Sequence, residues 1–318
     1  MTKNSSNAEL RPEVRSAEGR SNKKLEGLFA PVVSTFYANG GELDVASYAA
    51  NVRAHLNAGL HGIVVAGSTG EAALLDLDER SALVDATREL TPADKWVIVG
   101  TGAESTRSCL IQTKAAAKRG ADAVLVVAPH YYSNAMTEDA LRQHYRRVAD
   151  ESPVPVILYS IPKYMHFSLP DALVAELAQH ENVIGIKDSS GNKDILAGFL
   201  KAKSPKFSVL VGNAQIFHHA LMSGATGGIL AAAMIAPAFA LDIYESHRRG
   251  DMAAADAAQA KLHPLGAKIV GEMGVPGVKA AFDRIGLCGG PMRLPLQSVD
   301  AKQAAAVDEL LRAEPVAA

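Results

Sequence analysis

The feature that most narrows the fold is a repeat. From Leu28 onward, short runs rich in Val and Ile alternate with amphipathic stretches. The runs fall at 28–34, 62–66, 97–100, 123–128, 156–159, 183–187, 209–211 and 228–231. The helical patterns between them fall at 45–58, 78–90, 105–119, 137–151, 170–179, 193–201 and 215–223. The runs show little apolar/polar alternation, as expected of parallel strands covered on both faces. Strand–helix units at intervals of roughly 20–35 residues predict an α/β fold, a (β/α)8 TIM barrel. A doubly wound sheet is the alternative, and no G-x-G-x-x-G follows the first run to support it. Beyond the eighth run the chain reads as further helices at 237–249, 251–268, 275–285 and 299–312, more than one closing element needs. The expected organisation is a flexible N-terminal extension over 1–24, the barrel over 25–236, and C-terminal helices over 237–318 packed on it.

Bulk properties exclude several classes. The 318 residues are 48% hydrophobic and 21% charged, ordinary for a globular chain. A formal net charge of -2 offers no electrostatic case for nucleic acid or an anionic membrane surface. No apolar stretch approaches the ~18 residues of a membrane span. The polar opening stretch lacks the apolar core of a secretory signal, and Glu9, Glu13 and Glu18 argue against a transit peptide. The two cysteines, Cys109 and Cys288, are far apart and form no CxxC, which fits a reducing, cytoplasmic location.

In a barrel of this class the chemistry sits at the carboxyl ends of the strands. The sixth run ends Val183-Ile184-Gly185-Ile186-Lys187, followed by the turn-like Asp188-Ser189-Ser190-Gly191-Asn192. An ammonium is expensive to bury, and the neutral amine is the form that attacks a carbonyl to make a Schiff base. The alternative for Lys187 is a surface lysine paired with Asp188. The second run ends in Ala66-Gly67-Ser68-Thr69-Gly70-Glu71, where Gly67 and Gly70 let the backbone approach a ligand. Amide groups there, with the Ser68 and Thr69 hydroxyls, suit a carboxylate; an ordinary tight turn is the alternative. The fifth run ends at Tyr159, on the strand beside Lys187, where a phenol within reach of an imine can move protons; a core tyrosine is the alternative. After the fourth run, Pro129-His130-Tyr131-Tyr132-Ser133 carries a tyrosine pair suited to surface packing, an oligomer contact or a proton relay. No metal-binding cluster is evident, and His218-His219 point in different directions on a helix. No G-x-S-x-G elbow occurs either.

Four stretches in this order resemble the dihydrodipicolinate synthase / N-acetylneuraminate lyase family of class I aldolases. They are Gly67-Ser68-Thr69-Gly70-Glu71, Pro129-His130-Tyr131-Tyr132, Ile157-Leu158-Tyr159-Ser160-Ile161-Pro162 and Gly185-Ile186-Lys187-Asp188-Ser189-Ser190-Gly191. The resemblance implies that Lys187 forms an imine with C2 of a 2-oxo acid, usually pyruvate, and that Tyr159 is the general acid/base. It implies that Ser68 and Thr69 hold the keto-acid carboxylate, with Ser68 in the relay to Tyr159, and that the carbonyl of Ile229 faces the substrate. Tyr132, or less favourably Tyr131, corresponds to the tyrosine lent to a neighbouring subunit of a homotetramer built as a dimer of dimers. No metal or organic cofactor is implied.

The chain also departs from the family. Where true synthases carry an arginine that holds the second substrate's carboxylate, in a segment ending Thr-Gly, this chain reads Pro162-Lys163-Tyr164-Met165-His166-Phe167. Tyr164 takes the arginine position and His166 the glycine, so the acceptor pocket is expected to have changed. The first strand reads Val33-Ser34-Thr35-Phe36 where the family usually has Thr-Pro. The stretches Val275-Pro276-Gly277-Val278-Lys279 and Gly289-Gly290-Pro291-Met292-Arg293-Leu294-Pro295-Leu296 resemble 4-hydroxy-2-oxoglutarate aldolases, with Arg293 expected to be structural. The expectation is a lyase joining pyruvate to an aldehyde, or splitting a short 4-hydroxy-2-oxo acid. Dihydrodipicolinate synthase, a dehydratase of a sugar-derived 2-oxo acid, and a non-catalytic 2-oxo-acid binder are the alternatives.

Overall fold

The computed structural model describes residues 23–38 and 41–314. Most of the expected N-terminal extension, residues 1–22, lies outside the described residues. Eight strands, β1 (Gly27–Pro31), β2 (Gly62–Val65), β3 (Trp96–Gly100), β4 (Ala123–Val127), β5 (Val156–Ser160), β6 (Val183–Asp188), β7 (Ser208–Val211) and β8 (Gly227–Ile229), close into a barrel in sequence order. Every neighbouring pair is parallel, β8 closing on β1. The strands are almost wholly buried, because side chains on one face fill the barrel and those on the other meet the helices.

The outer layer comprises α1 (Val45–Asn57), α2 (Leu77–Leu90), α3 (Thr106–Lys118), α4 (Glu138–Glu151), α5 (Pro162–Met165), α6 (Asp171–Leu177), α7 (Lys193–Leu200) and α8 (Phe217–Met222). Their ends follow from local chemistry. Asp76 and Glu79 form a reciprocal capping box at α2, and Ser105, Thr137 and Asn192 cap α3, α4 and α7 with side-chain oxygens. In α4, Leu141, Tyr145 and Val148 form the buried stripe, while Glu138 and Asp139 sit in the first turn, where the helix dipole favours negative charge.

The remaining helices are α9 (Ala232–Ile235), α10 (Pro237–Arg249), α11 (Met252–Pro264), α12 (Gly274–Arg284) and α13 (Ala301–Ala313). None of the described helices is long and apolar enough to cross a membrane. The expected single helix over 251–268 is instead α11 followed by a π-helix, Leu265–Met273. Pro264 lacks an N–H for the i−4 carbonyl, which breaks the α ladder where the winding changes. The expected first strand at 28–34 stops at Pro31. Val32, Val33, Ser34 and Thr35 remain buried, but the hydroxyls of Ser34 and Thr35 donate to loop carbonyls of Gly70 and Asp44 at 2.7 and 2.6 Å.

Candidate active site

Register brings two of the singled-out side chains together. In the β5–β6 ladder Tyr159 pairs with Lys187 and Ser160 with Asp188. The Lys187 Nζ sits 4.3 Å from the centroid of the Tyr159 ring. Both residues are buried, at 5% and 3% exposure, at the carboxyl end of the barrel. The surface pairing of Lys187 with Asp188 does not occur. Adjacent strand residues point to opposite faces, and the Asp188 carboxylate takes the N–H and hydroxyl of Ser190, both at 2.9 Å. Burial raises the Asp188 pKa, and the two Ser190 bonds offset this in part.

Room for Lys187 is made by Gly212, just after β7. A β-carbon there would lie 2.8 Å from Lys187 Cε and 1.9 Å from Ser189 Oγ. The Gly212 N–H donates to the Asp188 carbonyl at 2.6 Å, so the backbone of β7 is drawn against β6 at this point. Sequence reasoning missed Gly212, since nothing local marks it as close to a lysine on another strand.

The Gly67–Glu71 stretch follows β2 as a tight 3-10 turn over Ser68–Gly70. Among the described residues neither the Ser68 nor the Thr69 hydroxyl is used in an internal hydrogen bond, and both residues are half-buried, so they are free to meet a ligand. The turn is anchored around them. Arg80 of α2 donates to the carbonyls of Gly100, Ala66 and Ala72 at 2.7, 3.4 and 2.9 Å, and burial lowers its pKa to about 10. The Ser34 hydroxyl holds the Gly70 carbonyl. Glu71 ends the turn in the left-handed region at φ 55°, its carboxylate buried and 2.5 Å from Lys279 Nζ. Lys279 and Arg80 were not singled out in sequence as parts of this site. Their signal is only the rarity of buried cations, which cannot be seen before burial is known.

Ile229 ends β8 and is buried at the same end of the barrel. Tyr164 lies in α5, 40% exposed. Its phenol is pushed up by burial and by the neighbouring Tyr159. Lys163 donates to the Gly271 carbonyl of the π-helix at 2.9 Å, so its ammonium is engaged there. His166 occupies a left-handed conformation, φ 64°, at the position where the resemblance has glycine. Tyr132 is not brought to Lys187 within this chain. It is 69% exposed on the β4–α4 loop and stacks edge-on against Tyr131, with ring centroids 5.0 Å apart. The loop is tethered by Glu104, whose carboxylate accepts from the His130 and Tyr131 N–H groups at 2.9 and 2.8 Å. Arg293 makes two hydrogen bonds to the Glu79 carboxylate, at 2.6 and 2.5 Å, and one to the Leu74 carbonyl at 2.8 Å, a structural clamp.

A closed parallel barrel with a buried strand-end lysine beside a tyrosine defines a class, the barrel lyases that work through a Schiff base. The model of the dihydrodipicolinate synthetase family matches residues 24–314, and the chain belongs to that family. A 4-hydroxy-tetrahydrodipicolinate synthase of Methanoculleus marisnigri is 33% identical over 279 residues, covering 87% of this chain and 94% of the relative. An uncharacterized DapA-like lyase of Halobacterium salinarum is 34% identical over 284 residues, covering 89% and 92%. Among solved structures, the E. coli K12 prophage protein YagE, in complex with pyruvate, is 28% identical with a TM-score of 0.86, covering 92% of this chain and 99% of that one. The chloride-inhibited dihydrodipicolinate synthase of Acinetobacter baumannii, also complexed with pyruvate, is 29% identical with a TM-score of 0.87, covering 92% and 100%.

Proposed function

We propose that this chain is a pyruvate-dependent class I aldolase that makes or splits a short 4-hydroxy-2-oxo acid. The observation that carries the reading is the buried register pair, with Lys187 Nζ over the Tyr159 ring. In this reading the neutral Lys187 amine attacks C2 of the 2-oxo acid. The carbinolamine loses water, Tyr159 supplying the proton, and a protonated imine remains. That iminium draws electrons from the C3–C4 bond. Cleavage releases an aldehyde as the C4 hydroxyl gives its proton to the Tyr159 phenolate, and leaves an enamine across C2 and C3. Protonation at C3 and hydrolysis return pyruvate and the free amine; the reverse sequence joins pyruvate to the aldehyde. Ser68, Thr69 and the amides between Gly67 and Gly70 receive the carboxylate, and the Ile229 carbonyl faces the substrate. Tyr132 completes the proton relay of a neighbouring subunit in a homotetramer, a role consistent with its exposure.

The acceptor is the second half of the reading. Tyr164 carries no charge to clamp a carboxylate, and Lys163 is occupied at Gly271. This favours an aldehyde other than aspartate semialdehyde. Condensation of pyruvate with aspartate semialdehyde is the second reading, favoured by the names of relatives such as that of Methanoculleus marisnigri.

Borohydride trapping with pyruvate, followed by peptide mass spectrometry, tests the first half. The expected result is a reduced adduct on Lys187, absent from Lys187→Ala; turnover retained by that variant would refute the mechanism. A panel of aldehydes, including aspartate semialdehyde and glyoxylate, then discriminates the acceptors by which one discharges the adduct.

A further inference from the structure

The C-terminal helices reach into the candidate site through one buried ion pair. Lys279, on α12, is 2% exposed, and its Nζ lies 2.5 Å from the Glu71 Oε1, whose side chain is fully buried. The same Nζ donates to the Pro291 carbonyl at 2.8 Å and sits 4.7 Å from the centroid of the Phe36 ring. The other oxygen of Glu71 accepts the Arg293 N–H at 3.1 Å. Each carboxylate oxygen is therefore held by a different C-terminal segment, and α12 itself lies against the Ser68–Gly70 turn.

Two physical points make this more than packing. First, a buried ion pair is a weak device for stability, because desolvating both charges offsets most of their attraction. What it supplies is fixed geometry, and Glu71 is where geometry is demanding: its φ of 55° is disfavoured for any residue with a β-carbon. Second, Glu71 immediately follows a turn read as receiving an anion. An uncompensated carboxylate roughly 6–12 Å away would oppose a second one by a factor of roughly 10–100 at an effective dielectric near 20. Lys279 cancels that charge.

We infer that Lys279 is a positioning residue for the reaction: through Glu71 it sets the shape and the charge balance of the Ser68–Thr69 turn that receives the 2-oxo-acid carboxylate. The inference rests on the proposed function of that turn. It makes the C-terminal helical region part of substrate binding, although none of its residues needs to touch the substrate.

The experiment compares the full-length wild type with Lys279→Met and with the double variant Glu71→Gln/Lys279→Met, which removes both charges and so avoids an unpaired buried carboxylate. The rate of borohydride-trapped adduct on Lys187 is followed against pyruvate concentration, with a thermal melt of each variant. For Lys279→Met, half-saturating pyruvate is expected to rise 10- to 100-fold, with the maximal trapping rate within threefold of wild type. The double variant loses the anchor but not the charge balance, so its half-saturation is expected to rise about 10-fold, again with the maximal rate kept. Half-saturation within twofold of wild type in either folded variant would overturn the inference. So would a fall in maximal rate with unchanged half-saturation, which is what a merely structural role predicts. If Lys279→Met fails to fold, the double variant carries the test. A wild type that forms no adduct on Lys187 overturns the functional reading and this inference with it; a wild-type adduct with unmoved variants overturns the inference alone.

Discussion

Gly212→Ala is the sharpest test of how Lys187 is held. The added β-carbon would lie 1.9 Å from Ser189 Oγ, 3.0 Å from Ser189 Cβ and 2.8 Å from Lys187 Cε. Carbon atoms in contact rest about 3.5–4.0 Å apart. The Ser189 hydroxyl can swing away by rotation, but its β-carbon is fixed to the backbone, and Gly212 is tied to Asp188 by a 2.6 Å bond. The soft element is the end of the lysine side chain, which must move by about 1 Å to restore contact distance. A displacement of that size costs on the order of 100-fold in rate when it moves a reacting group. The residual overpacking costs about 1–3 kcal/mol of stability. The assay is the rate of borohydride-trapped adduct formation at saturating pyruvate, alongside a thermal melt. Gly250→Ala is the control, because Gly250 is left-handed at φ 80° with nothing within 4 Å of its would-be β-carbon. It should lose about 1–2 kcal/mol with no change in trapping. A folded Gly212→Ala protein that traps pyruvate within threefold of the wild-type rate would refute this account of the pocket.

Three further outcomes are expected. Tyr159→Phe should lower steady-state turnover by about 10²–10⁴ while leaving the fold intact, since it removes a proton donor and keeps the ring; a loss below tenfold would exclude it as the acid/base. Arg293→Ala should lower stability by roughly 1.5–3 kcal/mol in a melt, through lost bonds to Glu79 and the Leu74 carbonyl, without changing half-saturating pyruvate; a change there would make Arg293 part of the site. His55 and His144 are buried, and burial lowers each pKa to about 4. As pH falls from 6.5 toward 4 the unfolded chain takes up protons that the folded chain refuses, so each histidine should remove roughly 2–3 kcal/mol of stability across that window. Melts from pH 7 to 4.5 should show this loss and its reduction in His55→Gln, and equal slopes in the two proteins would contradict it.

How far the sequence could be read depended on whether a feature is local. The barrel was legible because each βα unit writes its own pattern, a short Val/Ile run and then an amphipathic stretch. Helix ends were less so: the last helix starts at Ala301, after the Asp300 cap, whose side chain accepts the N–H of Gln303 within the first turn, two residues later than hydrophobicity placed it. The π-helix after Pro264 was not legible, since a proline shows that a ladder breaks but not how the chain rewinds. The likeness that places Lys187 and Tyr159 on neighbouring strands also lay in the sequence. That these two face each other, with Ser160 opposite Asp188, is a matter of register, which the hydrogen-bond ladder decides.

The chain by itself thus determined the strand and helix order, the rim of the barrel that carries the polar residues, and the family motifs. Tertiary structure alone decided what surrounds them. Gly212 matters because β7 lies against β6, and Arg80 because it spans the ends of β2 and β3. Lys279 matters because α12 returns to Glu71 from the far end of the chain. Burial and long-range contact set the cost of a charge or the need for a missing side chain, and neither quantity is carried by any short stretch of sequence.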